Sequence, residues 1–273
     1  MKKNNSILLS TPYIIWMVVF TLIPLGVVGY YALPDPATGV FTLHNIRSLN
    51  MYWGVLWQSI LYSLISAFIC LLLGYPVAYY IAHCRATTQK ILYMLVMLPM
   101  CMSFLLRTLA WVGLLQDTGI INDILELIGI GRKQLIRTPG AVVLGMVYNY
   151  LPYMILPLYS TIVKINPRLI EAAEDLGCNT FQVFRRVTLP LSVPGILSGI
   201  TMVFVPAVST FYISQKLGGT EMLIGDVIER LFKQGNNANL GAALSLVLMI
   251  LVFVCTGIMN KITGSDGEDV VVA

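Results

Sequence analysis

Six stretches of the chain are each apolar over about twenty residues, at about 11–32, 57–82, 91–113, 140–163, 194–215 and 239–260. A helix rises about 1.5 Å per residue, so about twenty such residues cross the roughly 30 Å hydrocarbon core of a bilayer. Backbone polar groups in lipid must be satisfied within the structure, so runs of this kind imply membrane-spanning helices. Charge agrees: 57% of the 273 residues are hydrophobic and only 11% are charged, against about 25% charged in a soluble domain. The expectation is an all-α membrane protein with six transmembrane helices, forming a single domain over 1–273 and seated in a lipid bilayer.

The net charge of +4 comes from few charged residues and gives no reason to expect nucleic acid as a partner. Cys70, Cys84, Cys101, Cys178 and Cys255 show no C-x-x-C spacing, so they read as small apolar filler, not as disulfides or metal ligands. Lys2 and Lys3 precede the first run as in a signal peptide, but that run is longer than a signal core and no clean cleavage site follows. An uncleaved first span is expected. With the N-terminus inside, inner segments carry nine Lys and Arg residues and outer segments seven. Lys2 and Lys3 decide this weak bias, which places both termini and 164–193 in the cytoplasm.

Pro24, Pro76, Pro99, Pro152, Pro157 and Pro206 fall within the spans. Each frees a carbonyl that needs a new partner, so each is either a packing kink or a mark of a helix lining a cavity. All thirteen Asp and Glu residues lie outside these spans, which leaves a secondary transporter without a coupling acid in the membrane. Arg107 is the one basic residue within a span. It either snorkels to the outer interface or positions an outer gate. No phosphate loop, H-E-x-x-H or G-x-S-x-G occurs, and only His44 and His83 are present. Catalytic residues and metal ligands are therefore not expected. A non-transporting scaffold is the remaining class, and kinked spans serve it poorly.

One charged stretch, EAAEDLGCNTFQVFRRVTLP (171–190), sits between the fourth and fifth runs. Asn166 and Pro167 suit the start of a helix, and Gly177 suits its left-handed end. Asn179 and Gln182 have capping-box spacing for a second short helix. Phe181, Phe184 and Val187 are expected on one face, flanked by Arg185 and Arg186. The result is a helix–turn–helix knob with Glu171, Glu174 and Asp175 available as charge partners. It either docks into a protein socket or lies flat in the lipid interface. Three acids close together fit the socket better.

E-A-A, three residues, Gly177, nine residues and V-T-L-P resemble the EAA loop of bacterial ABC-importer permeases, with Val187 where Ile is usual. The matching positions are Glu171, Ala172, Ala173, Gly177, Leu189 and Pro190. LLLGYPVAYYIA (71–82), the LLRTLAWVGLLQDTGIIND region (105–123), 142–177 and 204–232 are similar to permeases of spermidine/putrescine importers, the PotB type. The resemblance implies a type I importer permease fold with cytoplasmic coupling helices in a bacterial inner membrane. It implies a dimer of ABC ATPase subunits that receives the loop, a second permease of PotC type and an extracytoplasmic polyamine-binding protein. It also implies that this chain binds no cofactor, ATP and Mg belonging to the ATPase. Related permeases carry iron, sulfate, thiamine or phosphonates, so another small solute is the alternative cargo.

A polyamine is a flexible cation with methylene spacers, and aromatic faces suit it at about 0.5–2 kcal/mol per contact. Tyr148, Tyr150 and Tyr153 around Pro152, and Ser209, Thr210, Phe211 and Tyr212 after Pro206, are candidate pathway residues, with carboxylates supplied by other subunits. The tyrosines equally suit an interfacial aromatic belt. The acidic tail GSDGEDVVVA is expected to be disordered.

Overall fold

The computed structural model describes residues 13–34, 48–219, 222–233 and 237–263. The N-terminal lysines, His44 and the acidic tail lie outside the described residues. Among those described, all regular elements longer than a single bridge residue are helical. In chain order they are α1 (Tyr13–Ala32), α2 (Trp53–Ala82), α3 (Ala86–Met97), α4 (Phe104–Leu115), α5 (Ile120–Leu127), α6 (Pro139–Ile162), α7 (Pro167–Asp175), α8 (Thr180–Leu191), α9 (Val193–Val208), α10 (Tyr212–Leu217), α11 (Ile224–Lys233) and α12 (Ala238–Thr263). Among the described residues, five segments are long and apolar enough to cross a membrane, and α8 with α9, bent by 62°, makes a sixth if taken as one.

The chain divides into two compact units, Met1–Gly54 with Val227–Val252, and Val55–Asp226 with Phe253–Ala273. In the first, Ala32, Ala242 and Ala243 form a small buried cluster beside Val28, Leu49 and Leu246. Asn239 Nδ2 donates to the Pro34 carbonyl at 2.9 Å. α1 is exposed along nearly its whole length. Its turn at Val18–Leu22 is widened to π geometry just before Pro24. Proline has no N–H to donate, and a wide turn absorbs the interrupted hydrogen-bond ladder.

The second unit is built around α6, whose Met146, Met154 and Leu158 are fully buried. Glycines let two helices close on it. A Cβ on Gly74 of α2 would lie 3.2 Å from the Met154 side chain, and one on Gly199 of α9 would lie 2.6 Å from Met154 Sδ. Gly195, one turn earlier, faces Thr161 in the same way, at 2.6 Å from Oγ1. In lipid the drive for helix pairing is close packing, so small residues at the crossing are the means of bringing backbones together. The large residues turned outward, among them Phe68, Leu72, Leu106 and Met202, suit contact with lipid chains or other subunits.

Two expected spans differ from the helices formed. The run at 91–113 is broken: α3 ends at Met97, a tight turn covers Leu98–Cys101, and Met102 is extended before α4 begins. Pro99 lies in that turn and cannot continue the ladder. The crossing segment is instead Phe104–Leu127. The run at 194–215 is likewise interrupted after Val208, and α10 starts only at Tyr212.

Candidate functional site

The polar stretch between α6 and α9 folds as its caps dictate. Asn166 Oδ1 accepts from the Arg168 backbone N–H at 3.1 Å, with Pro167 in the first turn of α7. Gly177 has φ +83°, where only glycine is unstrained, and its N–H donates to the Glu174 carbonyl at 2.8 Å. Asn179 Oδ1 accepts from Gln182 N–H at 2.8 Å, and Gln182 Oε1 accepts from Asn179 N–H at 2.9 Å. This reciprocal pair satisfies two otherwise unbonded donors. The knob is thus fixed by local bonds, leaving its surface available.

That surface is apolar and acidic together. Leu176 is 86% exposed and Phe181 69% exposed, and Leu169 is also exposed. Glu171, Glu174 and Asp175 are exposed beside them, and none forms an ion pair with another described residue. Ala172, Gly177 and Pro190 are exposed, whereas Ala173 and Leu189 are half-buried. The expected face of Phe181, Phe184 and Val187 is corrected. Phe184 and Val187 turn inward with buried Val183 and Thr188, while Phe181 points out on the side of Arg185. The reason is a π turn at Phe184–Thr188, which carries more residues per turn and shifts the register that α-helical spacing predicts.

The residues named as pathway candidates separate into three places. Tyr150 is buried, and its hydroxyl donates to the Pro206 carbonyl at 3.3 Å. Tyr153 lies 6.3 Å from it, ring to ring, and the Thr210 side chain is its polar neighbour. Ser209 is exposed, and its hydroxyl bonds the Val205 carbonyl at 3.2 Å. Tyr148 stands apart, edge-on to Trp111 at 5.3 Å. Tyr212 packs near Phe104, and Lys216 Nζ sits 5.7 Å above its ring. Phe211 is exposed. The structure therefore brings Tyr150, Tyr153 and Thr210 together at the break after α9 and leaves Tyr148 outside that group.

Three polar residues join this break that sequence reasoning missed or misjudged. Arg107 does not snorkel: it is 6% exposed, and its Nε and Nη1 are buried without a partner. It is close enough to Tyr150 for its charge to act on that side chain. Asp226 is buried at the start of α11, where it accepts from the Ser214 hydroxyl and from Leu223 N–H. Ser59 of α2 accepts from Ile224 N–H at 2.8 Å. Gly225 makes this approach possible, since a Cβ there would lie 2.6 Å from the Thr210 carbonyl oxygen. Arg107, charged within an apolar run, was the sequence signal for this site, whereas Ser59 and Asp226 stand in no motif that marks them.

Residues 116–133 form a small clamp. Asn122 donates to the Gln116 carbonyl at 3.1 Å and accepts from Lys133 N–H at 3.0 Å. Arg132 pairs with Glu126 at 2.8 Å and Asp123 at 3.3 Å. The Glu126 carboxylate, bonded to it, holds the Arg132 guanidinium above its ordinary range. Among the described residues no three His, Cys, Asp or Glu side chains come together as metal ligands would.

Long apolar helices, glycine crossings and a capped polar knob between two of them define a polytopic membrane protein with an exposed polar element. Residues 74–263 match the family described as "Binding-protein-dependent transport system inner membrane component". The chain belongs to that family, whose members are inner-membrane transport subunits. It is 39% identical over 253 residues to the spermidine/putrescine transport system permease protein PotB of Haemophilus influenzae, covering 87% of this chain and 86% of that one. Its identity to the PotB protein of Escherichia coli K12 is 37% over 247 residues, covering 87% and 90%. A bacterial ABC transporter that imports alginate has a chain of the same fold, with TM-score 0.74 at 20% identity over 97% of this chain and 98% of that one. The MetNI methionine ABC transporter gives 0.61 at 18% identity over 79% and 97%.

Proposed function

We propose that the chain is one of two permease subunits in an ATP-driven importer of polyamines, spermidine and putrescine being the candidate cargoes. The observation that carries this reading is the identity of 37–39% over 87% of the chain to relatives that transport those compounds. The exposed knob supports the energy source. Its apolar residues Leu176 and Phe181 and its unpaired acids suit a socket with an apolar floor and a basic rim on an ATPase subunit. Glu171, Ala172, Ala173, Gly177, Leu189 and Pro190 are the coupling residues. The chain itself holds no cofactor; ATP and Mg bind the ATPase dimer.

In this mechanism both termini and the knob are cytoplasmic. ATP closes the ATPase dimer, the docked knobs of this chain and of a PotC-type permease draw together, and the spans open outward. An extracytoplasmic binding protein then releases the polyamine between the two permeases. Tyr150, Tyr153, Ser209, Thr210, Phe211 and Tyr212 offer weak, distributed contacts, so the cation can also leave. Tyr148 is held against Trp111 and is the weakest of the candidates.

The test is uptake of labelled spermidine by proteoliposomes holding the four-subunit complex and its binding protein. Uptake that requires internal-face ATP and is blocked by unlabelled putrescine supports the reading. Uptake driven by an ion gradient without ATP, or competition only by sulfate or thiamine, contradicts it. Glu171→Lys should abolish the ATP-driven component.

A further inference from the structure

Phe184 lies in the wide turn of α8 that ends the knob, and it leaves the docking surface altogether. Its ring is set between two tyrosines of α2. Tyr75 meets it edge-on with centroids 5.6 Å apart and an interplanar angle of 89°. Tyr79 meets it at 5.9 Å and 84°. Tyr75 and Tyr79 are one turn apart, so they share a face, and Pro76 lies between them in the sequence. Pro76 has no N–H for the Leu72 carbonyl, so α2 is least braced where Phe184 grips it.

The tyrosines are themselves held. The Tyr75 hydroxyl is 2.9 Å from Ser192 Oγ. The Ser192 hydroxyl hydrogen is directed to the Leu189 carbonyl at 2.9 Å, so Tyr75 is the donor to Ser192. Tyr79 has the His83 ring tilted against it, with centroids 4.2 Å apart. Tyr75 thus touches the knob's last segment on both sides, at Phe184 and at the Ser192 bend. The direct path along the backbone is poorer, because α8 and α9 meet at 62° and a push along α8 is not in line with α9.

We propose that Phe184 is a positioning residue that carries movement of the knob into α2 at Pro76, through the rings of Tyr75 and Tyr79. The inference rests on the reading that the knob receives the ATPase. Its role is distinct from docking: the exposed face grips the motor, and the half-buried ring passes the motion on. The π turn suits this task, since its extra residue turns Phe184 inward while Phe181 stays outward.

The experiment measures spermidine taken up per ATP hydrolysed in the four-subunit complex, together with the amount of ATPase subunit that co-purifies. Phe184→Ala should leave ATPase subunit bound and hydrolysing but lower uptake per ATP at least fivefold. Tyr79→Ala should do the same, Tyr79→Phe should retain the ratio, and the double alanine variant should be no worse than either single one. If Phe184→Ala does not assemble, the Tyr79 pair decides alone. An unchanged ratio, or a loss of uptake that only follows loss of bound ATPase, overturns the proposal. A wild-type complex that couples normally beside an unaffected variant removes only this inference. A wild-type complex that does not couple removes the underlying reading.

Discussion

The knob at 166–191 and the break at Ser209–Phe211 both interrupt an apolar chain, yet they place their polar groups oppositely. The knob satisfies its own backbone with Asn166, Asn179 and Gln182 and leaves Leu176, Phe181 and three acids uncovered. The break gathers Tyr150, Thr210, Ser214 and Asp226 inward. Its freed Pro206 carbonyl is met by a tyrosine on another helix. A local structure with a free surface is suited to binding something else. A buried polar cluster held by long-range bonds is suited to changing its arrangement when the helices around it move.

The comparison breaks most readily at the knob. Leu176→Asp with Phe181→Asp removes two exposed anchors, each worth about 2 kcal/mol if buried in a socket. Binding of the ATPase subunit, measured by co-purification and titration, should weaken at least about 100-fold while the permease stays folded. At the break, Tyr150→Leu with Tyr212→Leu should lower polyamine uptake about tenfold through lost hydrogen bonding and cation–π contact, with ATPase subunit still bound. Unchanged uptake would remove these residues from the route. Arg107→Met removes a buried charge whose Nε and Nη1 have no partner, and burying an unpaired charge costs several kcal/mol. The thermal midpoint of the purified complex should rise; a fall would mean that another subunit supplies an anion to Arg107. The smallest effect is expected for Asn179→Ala, a lost cap of about 1 kcal/mol. It should be read as faster amide exchange at Phe181–Val183 with little change in uptake.

The same contrast explains what the sequence made legible. The caps of the knob obey rules that operate within three or four residues, so Asn166, Pro167, Gly177, Asn179 and Gln182 could be assigned directly. The apolar runs revealed the membrane helices because length and composition alone set that requirement. Phe181 was placed on the wrong face because the π turn that follows is not encoded by any short motif. The break at Leu98–Ser103 was missed because Pro99 is compatible with either a kink or a stop. Burial of Asp226 depends on Ser214, twelve residues away, in a region that reads as a polar loop, and its neighbour Ile224 is held by Ser59, 165 residues away. Arg107 shows the limit of composition: the same residue in an apolar run can reach for water or be enclosed, and packing by neighbouring helices decides which.

The most direct test is ATP hydrolysis by the four-subunit complex in proteoliposomes, with binding protein added empty, loaded with spermidine or putrescine, or mixed with sulfate. Stimulation by the polyamine-loaded forms alone, lost in the Leu176→Asp, Phe181→Asp variant, is the predicted result. Equal hydrolysis under all conditions, or stimulation that survives in that variant, would contradict the claim that this chain couples a polyamine pathway to an ATPase through its knob.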